Sequence, residues 1–528
     1  MRTCLCLVSL AACTTGVDSA TSDFRVLAVS PTNDATSVAL DSPITLELSA
    51  PPAADFAVAL TAGTGEPIPH ALAIDGTTVT LTPSDRMWIA TDYTIGVDAA
   101  MHAETGEVLG APFASKFVTR DGAWHNIALQ SQVALVMAAP LGAGAAPNLA
   151  ALPDGTVFAG WEGGSALYDQ KFTPATGWLP MPGALTISGG DPDAVDIAAA
   201  GPARAVAGHE KYVTRSSIEA RTYNGSQWSA PTTVAPYNVG GTYYDQWLGG
   251  VAATDQTYAL VFHRGSFSTD HFDLYASVHA NNAWGAPIAV EQLVGTTSGS
   301  DIIADGKGGY VIAWSQRATD GTTAVWATTL SSSGVVGSPQ KLDDGAGTVY
   351  SLSLARGGDT VWIAWMHQQG SIGMRVVAQP LGGSAHTIEL DGYSFGGEWV
   401  QIAANARGAL LVYTQYGGVF AALADGATWG SVVTVDATQP SGDAGRPAIA
   451  LDDRGNATAT WTRVPMNGRR TTMVARALRG QWSAAAQLDE GTGSTYVWTA
   501  GVDTAGRVTT AWTQSDTSGY KVWVAQLE

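Results

Sequence analysis

Six polar side chains recur at one place in the chain: Arg264, Gln316, His367, Gln415, Arg463 and Gln514 each stand two residues after an aromatic, namely Phe262, Trp314, Trp365, Tyr413, Trp461 and Trp512. In an extended strand a spacing of two puts both side chains on one side. A second set, Trp247, Tyr350, Trp399 and Trp498, falls just before the strands that precede those aromatics. Hydrogen-bonding groups beside flat aromatic faces around a concave mouth suit a carbohydrate or peptide ligand. The competing reading is that the aromatics pack between sheets, where Trp is usually largely buried, and that the polar groups are merely solvated. Arg264, Arg446 and Arg463 could grip a carboxylate in bidentate fashion, and Glu210 or Glu398 could act as an acid or base. No complete pair of catalytic carboxylates can be placed from spacing, which leaves hydrolysis without its machinery.

Other groups with chemical potential have plainer explanations. The pairs Asp343-Asp344 and Asp452-Asp453 and the run Asp191-Pro192-Asp193 offer oxygens to calcium, but none has EF-hand spacing, and Asp in turns accepts hydrogen bonds from its own backbone. His263, Asp270, His271 and Asp273 are ligand types for a transition metal without a fixed-geometry motif. Gly392-Tyr393-Ser394-Phe395-Gly396 spells G-x-S-x-G but lies between expected strands, not at the strand-to-helix turn a nucleophile elbow needs. No cofactor and no metal is called for.

The elements that must position these residues are strands. Charged residues are 14 % of the 528-residue chain, against about 25 % in ordinary domains, and 61 are Gly, which favours tight turns. A net charge of −20 argues against nucleic acid as a partner. From residue 121 onward a phrase recurs in which a Gly turn leads into a strand ending at an aromatic. Its landmarks fall at 161, 209, 262, 314, 365, 413, 461 and 512, with His209 and Phe262 marking weaker copies. The mean interval is about 50 residues, and no helical periodicity lies inside it. That pattern predicts a β-propeller of four strands per blade, with eight blades, or seven if the unit around His209 is an irregular insertion. The last unit ends after its third strand, Val522-Trp523-Val524, while Asp121 to Leu129 copies the phrase from Arg479 to Leu488. The N-terminal strand is therefore expected to complete the last blade and close the ring, with Trp124 paired to the strand of Trp523.

Residues 24–120 read as a separate domain. Phe24 to Val29, Ile44 to Leu48, Thr78 to Leu81 and Tyr93 to Val97 alternate apolar and polar residues at period 2, as half-buried strands do. The phrases Ser30-Pro31-Thr32-Asn33-Asp34-Ala35, Leu40-Asp41-Ser42-Pro43-Ile44, Leu81-Thr82-Pro83 and Phe117-Val118-Thr119 resemble an S-layer-type bacterial Ig-like domain. The resemblance implies a β-sandwich acting as a spacer or adhesion element. Before it, Met1-Arg2, the apolar stretch Thr3 to Leu10 and Leu10-Ala11-Ala12-Cys13 resemble a bacterial lipoprotein signal peptide. That resemblance implies cleavage before Cys13, acylation of its thiol and a tether over 13–23, leaving no free thiol because Cys4 and Cys6 depart with residues 1–12. Thr14, where inner-membrane retention would want Asp, points to an outer membrane or cell surface. The turns Asp425-Gly426-Ala427-Thr428-Trp429 and Asn224-Gly225-Ser226-Gln227-Trp228 resemble degraded Asp-boxes of sialidase-like propellers, without their Ser-x-Asp-x-Gly spacing.

The expectation is an all-β, lipid-anchored, monomeric, extracytoplasmic protein, an Ig-like stalk over 24–120 followed by a propeller over 121–528. Membrane contact is through the lipid only. Its expected role is to bind a glycan or a surface protein on the propeller's top face. A glycoside hydrolase or lyase of sialidase-like type is the alternative, favoured by convergent carboxylates and arginine in the central mouth, and a structural envelope scaffold is the second.

Overall fold

The computed structural model describes residues 24–63, 65–128, 147–163, 166–179, 185–186, 191–291, 293–343, 347–369, 373–390, 399–437, 443–465, 468–490, 492–516 and 519–527. Cys13 with its tether, the Gly392 to Gly396 segment, Glu398 and Asp344 lie outside these residues. Every described element of regular structure is a strand. The chain divides into two compact units, 1–121 and 122–528.

The first unit is an Ig-like sandwich of two sheets. One orders its strands Val26–Ser30, Ile44–Leu48, Thr78–Pro83 and His70–Asp75; the other orders Ala35–Val38, Phe113–Thr119, Asp92–Val97, Ala59–Ala62 and Glu66–Pro67. Alternation decides which face is buried: Ile44, Leu46 and Leu48 point inward while Thr45 and Glu47 are only half-buried. They meet Val79, Leu81, Ile95 and Phe117 in one core, where Tyr93 stacks on Phe117 at 5.3 Å. The Tyr93 hydroxyl accepts the backbone N–H of Trp88, so a buried phenol keeps its partner.

The second unit is an eight-bladed propeller. Eight antiparallel sheets, each built outward from strand a to strand d, follow one another in chain order. The innermost strands are Asn148–Ala151, Asp191–Gly201, Asp245–Ala253, Thr296–Ala304, Gly347–Gly357, Val400–Ala404, Ala448–Leu451 and Thr495–Val502, numbered here as blades 1 to 8. Each packs against the next, and that of blade 8 packs against that of blade 1. The ring closes as the repeat phrase requires: Trp124–Ala128 is the outer strand of blade 8, antiparallel to Gly519–Leu527, with Trp124 opposite Leu527 and Ala128 opposite Trp523. Closure of this kind leaves blade 8 no bare third-strand edge. The unit around His209 is a complete blade, with strands Asp191–Gly201, Arg204–Tyr212, Ser216–Tyr223 and Thr232–Ala235.

The landmark aromatics are the cores of the blade interfaces. Trp161, Trp314, Trp365, Trp461 and Trp512 are 0–1 % exposed. Each lies against the preceding blade: Trp161 meets Val522 and Val524 of blade 8, and Trp314 meets Val261 and Ala276 of blade 3. At the far end of strand a the aspartates serve the backbone. Asp452 Oδ1 accepts the N–H groups of Arg454 and Asn456, with Gly455 between them at φ +87° in the left-handed region that favours glycine. Asp305 does the same for Lys307 and Gly309. The fourth strand is broken in several blades. In blade 3, Ala283–Trp284 and Ile288–Ala289 both pair with His271–Ala280, and Pro287, which has no N–H to give the ladder, stands between them.

Candidate functional site

The six polar residues two places after a landmark lie on strand b, the second strand from the axis. Gln316, 4 % exposed, accepts the indole N–H of Trp314 at 3.1 Å and donates to the carbonyl of Leu293 at 3.1 Å. Gln514 repeats the arrangement, accepting from Trp512 at 3.3 Å and donating to the carbonyl of Glu490. In blade 5 Asp343 receives the indole of Trp365 at 3.0 Å and lies 3.0 Å from Nδ1 of His367, which is fully buried. Arg463 donates to Asp436 at 2.6 Å; Arg264 donates to Gln246 at 3.0 Å and lies over the rings of Tyr244, Phe262 and Tyr275. Gln415 is half-buried at the end of its strand. Gln316 and Gln514 thus give a buried indole and a loop carbonyl the partners that a water-free interior demands, His367 is enclosed, and Arg264, Gln415 and Arg463 are half-buried. None of the six lines the cavity at the centre of the ring.

The four strand-entry aromatics divide. Trp247 stacks on the buried His263 ring at 4.8 Å and lies tilted against Phe272 at 4.2 Å, within blade 3. Tyr350 is 49 % exposed, its hydroxyl donating to Gln368 at 2.6 Å. Trp498 lines the cavity at the centre of the ring, and Trp399 lies under the guanidinium of Arg446, which also lines it. Of the other sequence candidates, Glu210 is buried and accepts the backbone N–H of Leu248 in the next blade. His263 holds Thr297 and Ser300 hydroxyls at 2.9 Å on its two ring nitrogens, and desolvation pushes its pKa down to about 3, so it stays neutral. Among the described residues no three His, Cys, Asp or Glu side chains are gathered as a metal would need.

The site that spacing did not reveal is the central cavity itself, about 490 Å³. One register position of strand a recurs around it: Asn148, Asp196, Gly250, Asp301, Ser353, Gln401, Ala448 and Thr499. In five blades a bulge lies at or just before this position and re-aims the strand. Several of these side chains tie one blade to the next. Asp196 Oδ2 accepts the N–H of Val251 at 2.8 Å, Asp301 Oδ2 that of Leu354 at 2.9 Å, and Ser353 Oγ that of Ile402 at 3.3 Å. The second oxygen of each carboxylate accepts the next N–H of its own strand, from Ile197 and Ile302, and Asp196 also receives Asn148.

Charge is concentrated here. Desolvation raises the pKa of Asp196 to about 6 against the pull of its backbone hydrogen bonds. It raises that of Asp301 to about 7, with the neighbouring Asp196 charge adding to the rise. Arg446, in the turn before Ala448–Leu451, lies within electrostatic range of both; enclosure lowers its pKa and the two carboxylates oppose that. Its side chain is nonetheless accessible to solvent, because the ring around it is an open cavity. Among the described residues its guanidinium donates no hydrogen bond and forms no ion pair; its contact is the Trp399 ring, 5.8 Å to the centroid. The signal that would have exposed the ring is a polar residue 12 or 13 positions before six of the eight landmarks, at Asn148, Asp196, Asp301, Ser353, Gln401 and Thr499.

Residues 20–119 match the family described as bacterial Ig-like domain. No curated protein matches the chain. Solved structures similar to it include a lectin from Burkholderia pseudomallei (13 % identity, 66 % of this chain and 99 % of that one, TM-score 0.42). Also similar are the alpha-L-arabinanase of Penicillium chrysogenum (11 %, 66 % and 98 %, TM-score 0.36) and a Hadza microbial sialidase (10 %, 93 % and 98 %, TM-score 0.38). Among the described residues no helix is long and apolar enough to cross a membrane.

Proposed function

We propose that this is an extracytoplasmic, lipid-anchored binding protein whose propeller holds a glycan in its central cavity. The observation that carries the reading is Arg446: a guanidinium without a hydrogen-bond partner among the described residues, resting on Trp399 in a cavity that Trp498 also lines. A volume of about 490 Å³ lies in the range of small-molecule sites and takes one or two sugar units. Indole faces and a fixed cation are the groups such a ligand uses, while the polar ring keeps the walls rigid. Acylation of Cys13 would hold the chain at a membrane, with the Ig-like unit intervening in sequence. The test is binding of the purified protein to a glycan array, repeated with Arg446→Gln and Trp498→Ala; loss of binding in folded variants supports the site, and unchanged binding removes it. Mass spectrometry of the N-terminus tests the anchor: a diacylated Cys13 is expected, and an unmodified N-terminus elsewhere refutes it.

Glycoside hydrolysis or elimination is the second reading, favoured by two carboxylates beside one arginine. Against it, both oxygens of Asp196 and of Asp301 already accept backbone N–H groups, which leaves neither oriented for a general acid or a nucleophile. Release of reducing sugar from any bound glycan would reverse that preference.

A further inference from the structure

We infer that the glycan carries a carboxylate, as a uronate-bearing oligosaccharide does, that this group pairs with Arg446, and that acidification strengthens binding. This rests on the binding reading above and names its ligand class.

A guanidinium presents a planar fork of donors that matches a carboxylate bidentately, and a partner lost from water must replace the hydrogen bonds it had there. Arg446 lines the cavity and donates no hydrogen bond to any described residue, and the Trp399 ring centroid lies 5.8 Å from its guanidinium carbon. A neutral sugar hydroxyl would satisfy one donor; a carboxylate satisfies two and adds charge.

The pH dependence follows from what surrounds the cation. The charged groups on the cavity wall are Glu162, Asp301 and Arg446; Asp196, joined to Asn148 of the same wall, is within range of both Asp301 and Arg446. The remaining neighbours at this level, Ser353, Gln401 and Thr499, do not titrate. With carboxyl pKa values of about 6 and about 7, Asp196 is mostly ionised at neutral pH and Asp301 about half so. Together they more than offset one arginine, and an incoming anion meets net negative charge. Near pH 5 both are mostly protonated and no longer offset Arg446. A sugar carboxylate, titrating near about 3.5 as an α-carboxyl does, keeps its charge throughout. Affinity should therefore rise about tenfold from pH 7.5 to pH 5.0, the scale expected for near-unit charge changes several ångströms away in a partly wet site.

The experiment is calorimetric titration of the purified protein with galacturonate, glucuronate and mannuronate oligosaccharides, each paired with its methyl ester and with the corresponding neutral oligosaccharide. The expected result is that one acid series binds, its ester binds at least tenfold more weakly, and the acid's affinity rises about tenfold on acidification. Arg446→Gln should abolish binding, Arg446→Lys should retain part of it, and Asp301→Asn should flatten the pH profile; circular dichroism confirms that each variant folds. Equal binding of ester and acid, binding of neutral glycans alone, or an acid site indifferent to Arg446→Gln would overturn the inference while leaving glycan binding in place. No binding to any saccharide would overturn both.

Discussion

Gln316→Leu separates a residue that completes a blade from one that meets a ligand. The substitution keeps the side chain's approximate volume but deprives the Trp314 indole of its acceptor, at a position with no exposure, and the Leu293 carbonyl of its donor. An orphaned buried N–H costs about 1–3 kcal/mol, and an indole as fully enclosed as that of Trp314 stands at the upper end, about 3 kcal/mol. Leu293 is itself 38 % exposed, so its carbonyl can turn to water and adds little. Burying two more apolar atoms returns about 1 kcal/mol. The net expectation is a loss of about 2 kcal/mol. For a cooperative unit of roughly 400 residues, with an unfolding entropy of about 2.1 cal/mol/K per residue, that is a fall in Tm of about 2 °C. Equilibrium denaturation gives the better resolution, as a lower midpoint at unchanged slope. In a Trp314→Phe background, where no indole N–H exists, the cost of Gln316→Leu should drop below about 1 kcal/mol. Glycan binding should survive in every variant that folds. A neutral or stabilising Gln316→Leu, an equal cost in both backgrounds, or lost binding at unchanged stability would refute this placement of the polar set.

Three further outcomes follow from the same geometry. Deleting residues 122–128 removes the outer strand of blade 8 and exposes the edge of Gly519–Leu527; loss of a five-residue ladder at about 1 kcal/mol per pair should destabilise the propeller by about 5 kcal/mol and drive self-association, read by denaturation and gel filtration. Asp301 has a folded-state pKa of about 7 against the usual 3.8, so the folded chain binds its proton more tightly than the unfolded one; stability is lost as pH rises through that window, and Asp301→Asn should gain about 2 kcal/mol relative to wild type between pH 5 and 8 in pH-dependent denaturation. His263 works in the opposite sense. Its pKa of about 3 in the fold against about 6.5 unfolded means stability is lost as pH falls below 6.5, and its imidazole resonances should stay those of a neutral ring down to about pH 4.

The ring was legible because each blade needs a large apolar group at its interface: the spacing of the aromatics counted the blades, and the copied phrase before Trp124 located the closing strand. The blade at His209 was faint for a physical reason. There a buried His209, with Glu219 3.4 Å from its Nε2, replaces the aromatic, so the landmark changes type while the strands do not. A spacing of two puts the polar residues and the landmarks on one side of strand b, but periodicity carries no depth. It cannot tell a side chain aimed at solvent from one bonded to its neighbour's indole. The cavity was illegible for a related reason: its positions hold Asn, Asp, Gly, Ser, Gln, Ala and Thr, no two adjacent blades alike, and at Asp196, Asp301 and Ser353 the shared feature is a side-chain acceptor for the next blade's backbone rather than a residue type. Arg446 entered the sequence reading only as one of three arginines. It is set apart by enclosure and by the absence of a hydrogen-bond partner among the described residues, which appear only once the turn before Ala448–Leu451 is seen to enter the ring.

The most direct measurement is a crystal structure of the protein with its best-binding saccharide. The expected result is sugar in the central cavity, bonded to Arg446 and flanked by Trp399 or Trp498. Saccharide bound elsewhere, at Tyr350 or along the outer strands, with the cavity holding only water, would contradict the assignment of that cavity as the binding site.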